Sequence, residues 1–457
     1  MTETLNHNQL AAYQAVKEQK SIFLTGSGGT GKSFLLNLIY DSIPNETGRK
    51  VALTALTGCA SLLLHPKAKT IHSWAGIGLG KDPVPLLVAN VKKSRRAMVR
   101  WHETDVLVID EISMMTPELF EKLDEVARKI RRNPHTPFGG IQMILSGDFY
   151  QLPPVVRFSE GQDQDQTFVF ESPLWKDMRL ATHELTEIVR QKDQVFQKVL
   201  NEARCGELTK DSLKILSRRM GLDYKTQKIQ PTMLFTRRAQ VNEINMGYLR
   251  KLTTERRIYK ATTTFSTKVA TLTQSDKDPL VLKAVDKMDN DAAYSPELIV
   301  AIGAQVMLIT NLKPEKGLVN GSRGVIVGYE TIKKDEDDTT PSYKMDESVL
   351  VPLVEFKNGL KMPIGYATWE VPDMPGVLRR QIPLKLAYAI TIHKSQGATL
   401  DCALIDVGGR TFEFGQAYVA LSRVKDLEGL YIHDLDKNAF RAHDKVKEFY
   451  RPTPACI

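Results

Sequence analysis

Gly26-Ser27-Gly28-Gly29-Thr30-Gly31-Lys32-Ser33 sets four glycines, a lysine and a hydroxyl inside eight consecutive residues. Glycines let backbone N–H groups curl around phosphate oxygens, a lysine reaches the β- and γ-phosphates, and a serine hydroxyl ligates Mg²⁺. The run directly follows Ser21–Thr25, an apolar strand pattern, and opens a helical one at Phe34–Tyr40, which is the context the GxxxxGK[ST] spacing requires. A helix N-terminus there adds positive potential for an anion. ATP with Mg²⁺ is the expected ligand, and Gly26, Gly28, Gly29, Thr30, Gly31, Lys32 and Ser33 are the residues expected to hold it.

Asp110-Glu111 ends a second apolar run, Val106–Ile109. Two adjacent acids at the end of a buried strand are costly without a cation, so Asp110 is read as the Mg²⁺ partner and Glu111 as the base that polarises the attacking water. Gln151, in Gly147-Asp148-Phe149-Tyr150-Gln151-Leu152-Pro153-Pro154, follows a third such run. A neutral amide there can bond the γ-phosphate or the water and change partner when that phosphate leaves. Arg190 and Arg423 are the expected arginine fingers, since the transition state of phosphoryl transfer spreads more negative charge than a P-loop and one Mg²⁺ neutralise. Both are expected outside the first domain, reaching the phosphate only when two domains close.

Residues of this kind need rigid elements behind them. Over about the first 180 residues, Ser21–Thr25, Val51–Leu56, Val106–Ile109 and Ile141–Leu145 alternate with helical patterns, as in a parallel sheet with crossover helices. After Pro117, the residues Phe120, Leu123, Val126, Ala127 and Ile130 make one apolar helical face. An insertion at Leu62–Glu103 is too long for a simple loop. A second alternating region begins at Pro231–Phe235 and resumes at Leu386–Thr391 and Ala403–Val407. Between them Val306–Ile309, Gly324–Gly328, Leu350–Phe356 and Lys361–Gly365 are short β segments that suggest a small inserted barrel or sandwich, with the acidic stretch 330–347 as an exposed loop.

Composition narrows the class. A chain of 457 residues exceeds one ordinary core, and 42% hydrophobic with 25% charged residues excludes a disordered or fibrous chain. The net charge of +8 favours an anionic partner. The four cysteines lie far apart, without zinc-ligand or disulfide-scaffold spacing. No run approaches the roughly 18 apolar residues of a membrane span, and the polar N-terminus MTETLNHNQL lacks a signal-peptide core. The expectation is a soluble intracellular protein of a reducing compartment, in cytoplasm or nucleus, with no membrane partner.

Taken in order, these blocks resemble the PIF (petite integration frequency) family of superfamily-one DNA helicases. Leu5-Asn6-His7-Asn8-Gln9 is similar to the family's Q motif, which implies that Gln9 reads adenine. Thr57-Gly58-Cys59-Ala60-Ser61 and Thr70-Ile71-His72-Ser73-Trp74-Ala75-Gly76-Ile77-Gly78-Leu79-Gly80 resemble its early DNA-contacting motifs. Leu123–Arg128 and Pro137–Gln142 resemble the segment that sets the family apart. Leu185–Gln191 resembles its fourth motif, Gly303–Leu308 and Leu318–Gly324 its SH3-like insert, and Ile392–Gly397 and Gly415–Arg423 its last two motifs. The resemblance implies an α/β fold of two RecA-like parallel-sheet domains with an inserted SH3-like β domain. The boundaries expected are 1–182 for the first motor domain, with a wedge-like insertion at about 62–80, then 183–296 with 385–457 for the second, and 297–384 for the insert. Gly397 is expected at the nucleotide. Family members often carry Ala where this chain has Ser61, and eukaryotic members carry long extensions that this chain is expected to lack.

By the same resemblance Thr57, His72, Thr236, Asn245, His393 and Lys394 contact single-stranded DNA. Trp74 either stacks on a base or separates strands, or it packs a small local core. His72 has the alternative of a satisfied loop histidine. The basic clusters Lys92–Arg100 and Arg128–Arg132 either cradle phosphates or are solvated helix faces. The implied activity is that of an ATP-dependent helicase, a monomeric motor moving 5′ to 3′ on single strands and meeting single/double-strand junctions. A strand-remodelling or annealing ATPase with little unwinding is the alternative. A P-loop kinase would need an acceptor pocket and a lid in place of a second sheet carrying Arg423, and a mere binding module would not need Lys32, Glu111 and both arginines together.

Overall fold

A computed structural model describes residues 5–65, 67–154, 167–227, 229–235, 238–265, 278–292, 294–333, 348–371, 374, 376–409, 411 and 413–451. The chain divides into two compact units, the first made of Met1–Met220, Asp406–Leu427 and Ile432–Ile457, the second of Gly221–Ile405 and Glu428–Tyr431.

The first unit is built on six parallel strands: β1 (Ile22–Gly26), β2 (Val51–Ala55), β3 (Lys69–Thr70), β4 (Val106–Asp110), β5 (Gln142–Ser146) and β6 (Ala181–Leu185), in the order β3-β2-β4-β5-β1-β6. Alternate residues of a strand point to opposite faces. Ile22, Leu24, Val106, Val108 and Ile144 pack with α1 (His7–Lys17) and α2 (Lys32–Thr47), while Phe23, Leu107, Ile109, Met143 and Leu145 pack with α7 (Pro117–Arg131). Both faces are covered, so the central strands read as unbroken apolar runs. The four strands and the helix expected in this region lie within a residue or two of the observed ones.

The long insertion folds as α3 (Gly58–Leu64), α4 (Ile71–Ala75), α5 (Val84–Lys93) and α6 (Arg95–Glu103). Its apolar residues Ile71, Trp74, Val91 and Trp101 join the same core as α7. Further along come α8 (Pro173–Asp177), α9 (Gln194–Cys205) and α10 (Lys210–Ser217).

The second unit holds β7 (Thr232–Phe235), α11 (Arg238–Lys251), β8 (Arg256–Lys260), β9 (Thr262–Phe265), α12 (Pro279–Asp291) and β10 (Glu297–Ala301). A five-stranded antiparallel sheet follows, from β11 (Gln305–Leu308), β12 (Arg323–Lys333), β13 (Ser348–Phe356), β14 (Lys361–Pro363) and, after β15 (Ala367–Glu370) and β16 (Val377–Gln381), β17 (Leu384–Leu386). Its order is β14-β13-β12-β11-β17. This is the inserted β domain expected from the short β segments, although the pairing reaches outside 297–384, since β8 pairs β10 and β9 pairs β16. Parallel pairing resumes where β18 (Ala389–Thr391) and β19 (Ala403–Val407) flank β7, with α13 (Ile392–Ser395) between them in the chain. Of the acidic stretch 330–347, residues 334–347 lie outside those described.

One expected boundary cuts through an element. The boundary after residue 182 cuts a strand of the first sheet, because β6 pairs with β1 from Ile22↔Ala181 to Gly26↔Leu185. β6 alternates half-buried and exposed residues before Leu185, as an edge strand does, so no apolar run announced it. Arg190 and Arg423 both belong to the first unit, together with the P-loop, α14 (Gln416–Leu421) and α15 (Asp444–Tyr450).

Candidate nucleotide site

A parallel sheet delivers every strand's C-terminal end to one edge. Here that edge receives Gly26–Ser33 from β1, Thr57 from β2, Asp110-Glu111 from β4, Gly147–Gln151 from β5 and Thr186–Gln191 from β6. The P-loop glycines are demanded by space as well as by rotation. A Cβ on Gly26 (φ +143°) would sit 2.4 Å from the Leu185 carbonyl oxygen, and Gly31 (φ +86°) starts α2 in the left-handed conformation. Thr30, wholly buried, donates its hydroxyl to the Ser27 carbonyl at 3.0 Å.

Lys32 Nζ donates to the carbonyls of Gly26 (2.6 Å) and Ser27 (2.9 Å). Burial lowers its pKa, against the opposing pull of Asp148, Glu111 and Asp110. Asp110 is 7% exposed and accepts the Ser146 hydroxyl at 2.8 Å. Burial raises its pKa, partly offset by that hydrogen bond. Glu111 holds φ +57°, a left-handed conformation costing of order 1–2 kcal/mol for a residue with a side chain. Gln151 is buried, and its Oε1 has no partner among the described residues.

Gln9 is buried near the same loop. Its side chain closes a capping box at the start of α1, with its backbone N–H donating to the Asn6 side chain and its Oε1 accepting the Asn6 N–H, and its Nε2 reaches the Thr30 carbonyl at 3.5 Å.

Segment 186–191 clamps the loop by main chain: Val189 and Arg190 N–H both donate to the Gly29 carbonyl, at 2.9 and 3.2 Å. Arg190 Nη1 donates to the Ser422 carbonyl at 3.1 Å, and Gln191 Nε2 donates to Ser422 (3.3 Å) and Val424 (3.0 Å). From the other side Tyr418, on α14, accepts the Gly28 N–H at 2.8 Å. Arg423 is 2% exposed, with Nε on the Val419 carbonyl (2.9 Å) and Nη2 on the Ser422 hydroxyl (2.7 Å). A Cβ on Gly28 would lie 3.4 Å from Arg423 Nη2 and 3.3 Å from Ser422 Oγ. Burial and then the neighbouring Arg423 pull the Arg190 guanidinium down to about 9, and burial lowers Arg423. Glu111 is the acid that opposes the effect of burial at both guanidiniums.

The DNA-contact expectations divide. Thr57 caps α3, its hydroxyl accepting Ala60 N–H at 3.1 Å, and His72 is half-buried in α4. Of the two roles open to Trp74, its surroundings are those of a local core. It is 3% exposed, its ring meets Trp101 edge-on at 4.6 Å, and it belongs to the core that α7 shares, so it has no face for a base in this structure. Asn245 spends both ends of its amide on Ala389, donating to its carbonyl (2.8 Å) and accepting its N–H (3.0 Å), and so holds β18 along a cleft of about 410 Å³ within the second unit. His393 is half-buried in α13 and Gly397 is exposed at φ +77°, both in the second unit with Lys394. Thr236 lies outside the described residues.

Several residues around the loop escaped the sequence reading. Asp148 is wholly buried and paired with Arg204 of α9. Tyr450, on α15, shares a 2.8 Å hydrogen bond with Thr25 Oγ and accepts Phe149 N–H at 3.2 Å. The available signal was an acid after a buried strand with no local cation, which demands a distant one.

A family model described as PIF1-like helicase matches residues 4–213, and one described as the 2B domain of DNA helicase Pif1 matches 294–329. The ATP-dependent DNA helicase PIF1 of Homo sapiens is 40% identical over 454 residues, covering 98% of this chain and 63% of the human protein. The chain thus spans a little under two thirds of that relative. The crystal structure of Pif1 helicase from Candida albicans aligns at TM-score 0.75 and 35% identity over 98% of each chain. A structure concerned with unwinding of forked double-stranded DNA by two coordinating Pif1 helicases aligns at 0.65 and 28%, over 98% of this chain and 96% of that one.

Proposed function

Because this chain belongs to the PIF1-like helicase family, we propose that it is an ATP-driven helicase and translocase, moving 5′ to 3′ on single-stranded DNA and separating the duplex it meets. The observation that supports this reading best is the gathering of Lys32, Asp110, Glu111, Gln151, Arg190 and Arg423 in one compact unit. The P-loop amides and Lys32 bind the phosphates, with Gln9 beside the loop for the adenine and Gly397 as a further nucleotide contact. Glu111 takes a proton from the attacking water, Gln151 orients that water or the γ-phosphate, and the two arginines stabilise charge that grows in the transition state.

The residues also suit a magnesium ion. Asp110 is a buried carboxylate whose raised pKa disfavours its charged form until a cation arrives, and Ser33 opens α2 beside Lys32. Ser33 and Asp110 would hold the ion, which when bound neutralises phosphate-oxygen charge.

Loss of the γ-phosphate removes the anion that the arginines share. Segments 186–191 and 415–424, tied to the loop through Gly29 and Gly28, then change partners. DNA is gripped by Thr57 and His72 in the first unit and by Thr236, His393 and Lys394 in the second, with Asn245 holding β18 in place. In this reading the motor is a monomer, and a second copy acting at a fork is the competing outcome.

The test measures hydrolysis with and without single-stranded DNA, then unwinding of duplexes carrying either a 5′ or a 3′ tail, with oligomeric state followed by sedimentation. Stimulated hydrolysis with unwinding from the 5′ tail as a monomer is expected. Stimulation without unwinding of either substrate would leave the remodelling or annealing ATPase, and absence of any stimulation would end the motor reading.

A further inference from the structure

Asp148 is a carboxylate with no exposed surface, in the loop that leads to Gln151. It is held by an arginine 56 residues away, with Arg204 Nη2 on Oδ1 at 2.9 Å and Nε on Oδ2 at 3.0 Å and on Oδ1 at 3.3 Å. The Tyr150 N–H also donates to Oδ1 at 3.2 Å. The guanidinium is 12% exposed and lies over the rings of Tyr150 (4.7 Å) and Tyr450 (5.4 Å), which stack on each other. Burial would lower its pKa, but Asp148 raises it well above the ordinary value. So much machinery around one pair is unusual for a site that contributes only to folding, because apolar residues of similar volume serve a core as well.

A second observation says what the pair does. Gln151 N–H donates to the Asp148 carbonyl at 2.9 Å, so the residue that Arg204 holds is the one on which Gln151 is hung, and its carboxylate is also among the acids that oppose the effect of burial on Lys32. An unneutralised carboxylate there would compete with phosphate for the P-loop ammonium.

We propose that Arg204 is a positioning residue of the ATPase: by taking up the Asp148 carboxylate it leaves Lys32 for the phosphates and fixes the loop that presents Gln151. This rests on the reading of the site as an ATPase. The pair ties α9 to the loop after β5 that presents Gln151, so any shift of α9 moves that loop.

Charge sets an order of nucleotide affinity that packing alone does not. Arg204→Met leaves Asp148 uncompensated, and KM for ATP and Kd for a fluorescent ADP analogue rise about tenfold. Asp148→Asn removes the competing acid and keeps the Arg204 cation, and Kd stays at or below the wild-type value. The double variant Arg204→Met, Asp148→Asn returns to within about twofold of wild type. If Arg204→Met does not fold, Arg204→Lys is read in its place: it keeps the charge and loses the paired donors, so KM holds within about twofold while kcat falls about fivefold. A double variant no better than Arg204→Met, or an Asp148→Asn that weakens nucleotide binding as much, would overturn the proposal. So would a rise in KM with Arg204→Lys. Wild-type protein without ATPase activity would instead overturn the reading beneath it, so the two failures are distinguishable.

Discussion

Replacing Gly28 should separate nucleotide binding from hydrolysis. Gly28 has an ordinary backbone conformation, unlike Gly29 (φ +92°) and Gly31 (φ +86°), so alanine or valine adds volume there without backbone strain. The added Cβ would stand 3.3 Å from Ser422 Oγ, 3.4 Å from Ser422 Cβ and 3.4 Å from Arg423 Nη2. Those contacts are tight for alanine, whose neighbours must yield by a few tenths of an ångström. Valine projects methyls about 1.5 Å further, into the space of the guanidinium itself. An arginine finger contributes about 10³–10⁵ in rate, roughly 4–7 kcal/mol. Gly28→Ala should therefore slow hydrolysis about tenfold, and Gly28→Val about 10²–10³-fold, as the finger is displaced in part or almost wholly. Single-turnover ATP hydrolysis at saturating single-stranded DNA gives the rate, and titration with a fluorescent ADP analogue gives the affinity, expected within about threefold of wild type. Gly28→Val hydrolysing ATP at near the normal rate would refute the placement of Arg423. Loss of binding in parallel with hydrolysis would show that the loop itself had been damaged.

Arg423→Ala should abolish turnover while largely sparing nucleotide binding, read by the same two assays, and near-normal ATPase activity would remove the arginine from the mechanism. Trp74→Ala should cost about 3–5 kcal/mol of stability through a core cavity, seen as a lower midpoint in denaturant, while the folded fraction binds single-stranded DNA within about twofold of wild type. A selective loss of DNA affinity at unchanged stability would restore the stacking role. Asp401 gives a pH test. Burial alone would raise its pKa, but the hydrogen bond and charge of Arg323, with Lys357, more than offset this and hold it below the usual carboxylate range. A carboxylate depressed in the folded state contributes stability above its unfolded pKa, and that stability is lost as pH falls through about 4 toward the folded value. Thermal melts between pH 6 and 3 should thus show a steeper acid limb for the wild type than for Asp401→Asn, and parallel limbs would mean the pair contributes nothing.

What the sequence determined by itself is the chemistry carried on consecutive residues. The P-loop, the Asp110-Glu111 pair and Gln151 each follow an apolar run, and a run buried on both faces must be a central strand, so the residues after it must share one edge of the sheet. Local order and strand direction suffice for that. Features that depend on what lies across space come from the fold instead. β6 is an edge strand whose alternating exposure leaves no apolar signature, so its membership in the first sheet comes from pairing with β1. Trp74 reads equally well as a stacking platform or as core, and its partner Trp101, packed against it from α6, is supplied only by the fold. The closure of the Asn245 amide on Ala389, 144 residues away, likewise comes only from the fold. The ion pair of Asp148 with Arg204 spans 56 residues and has no period or motif, because a charge is neutralised by whichever partner the fold brings within reach.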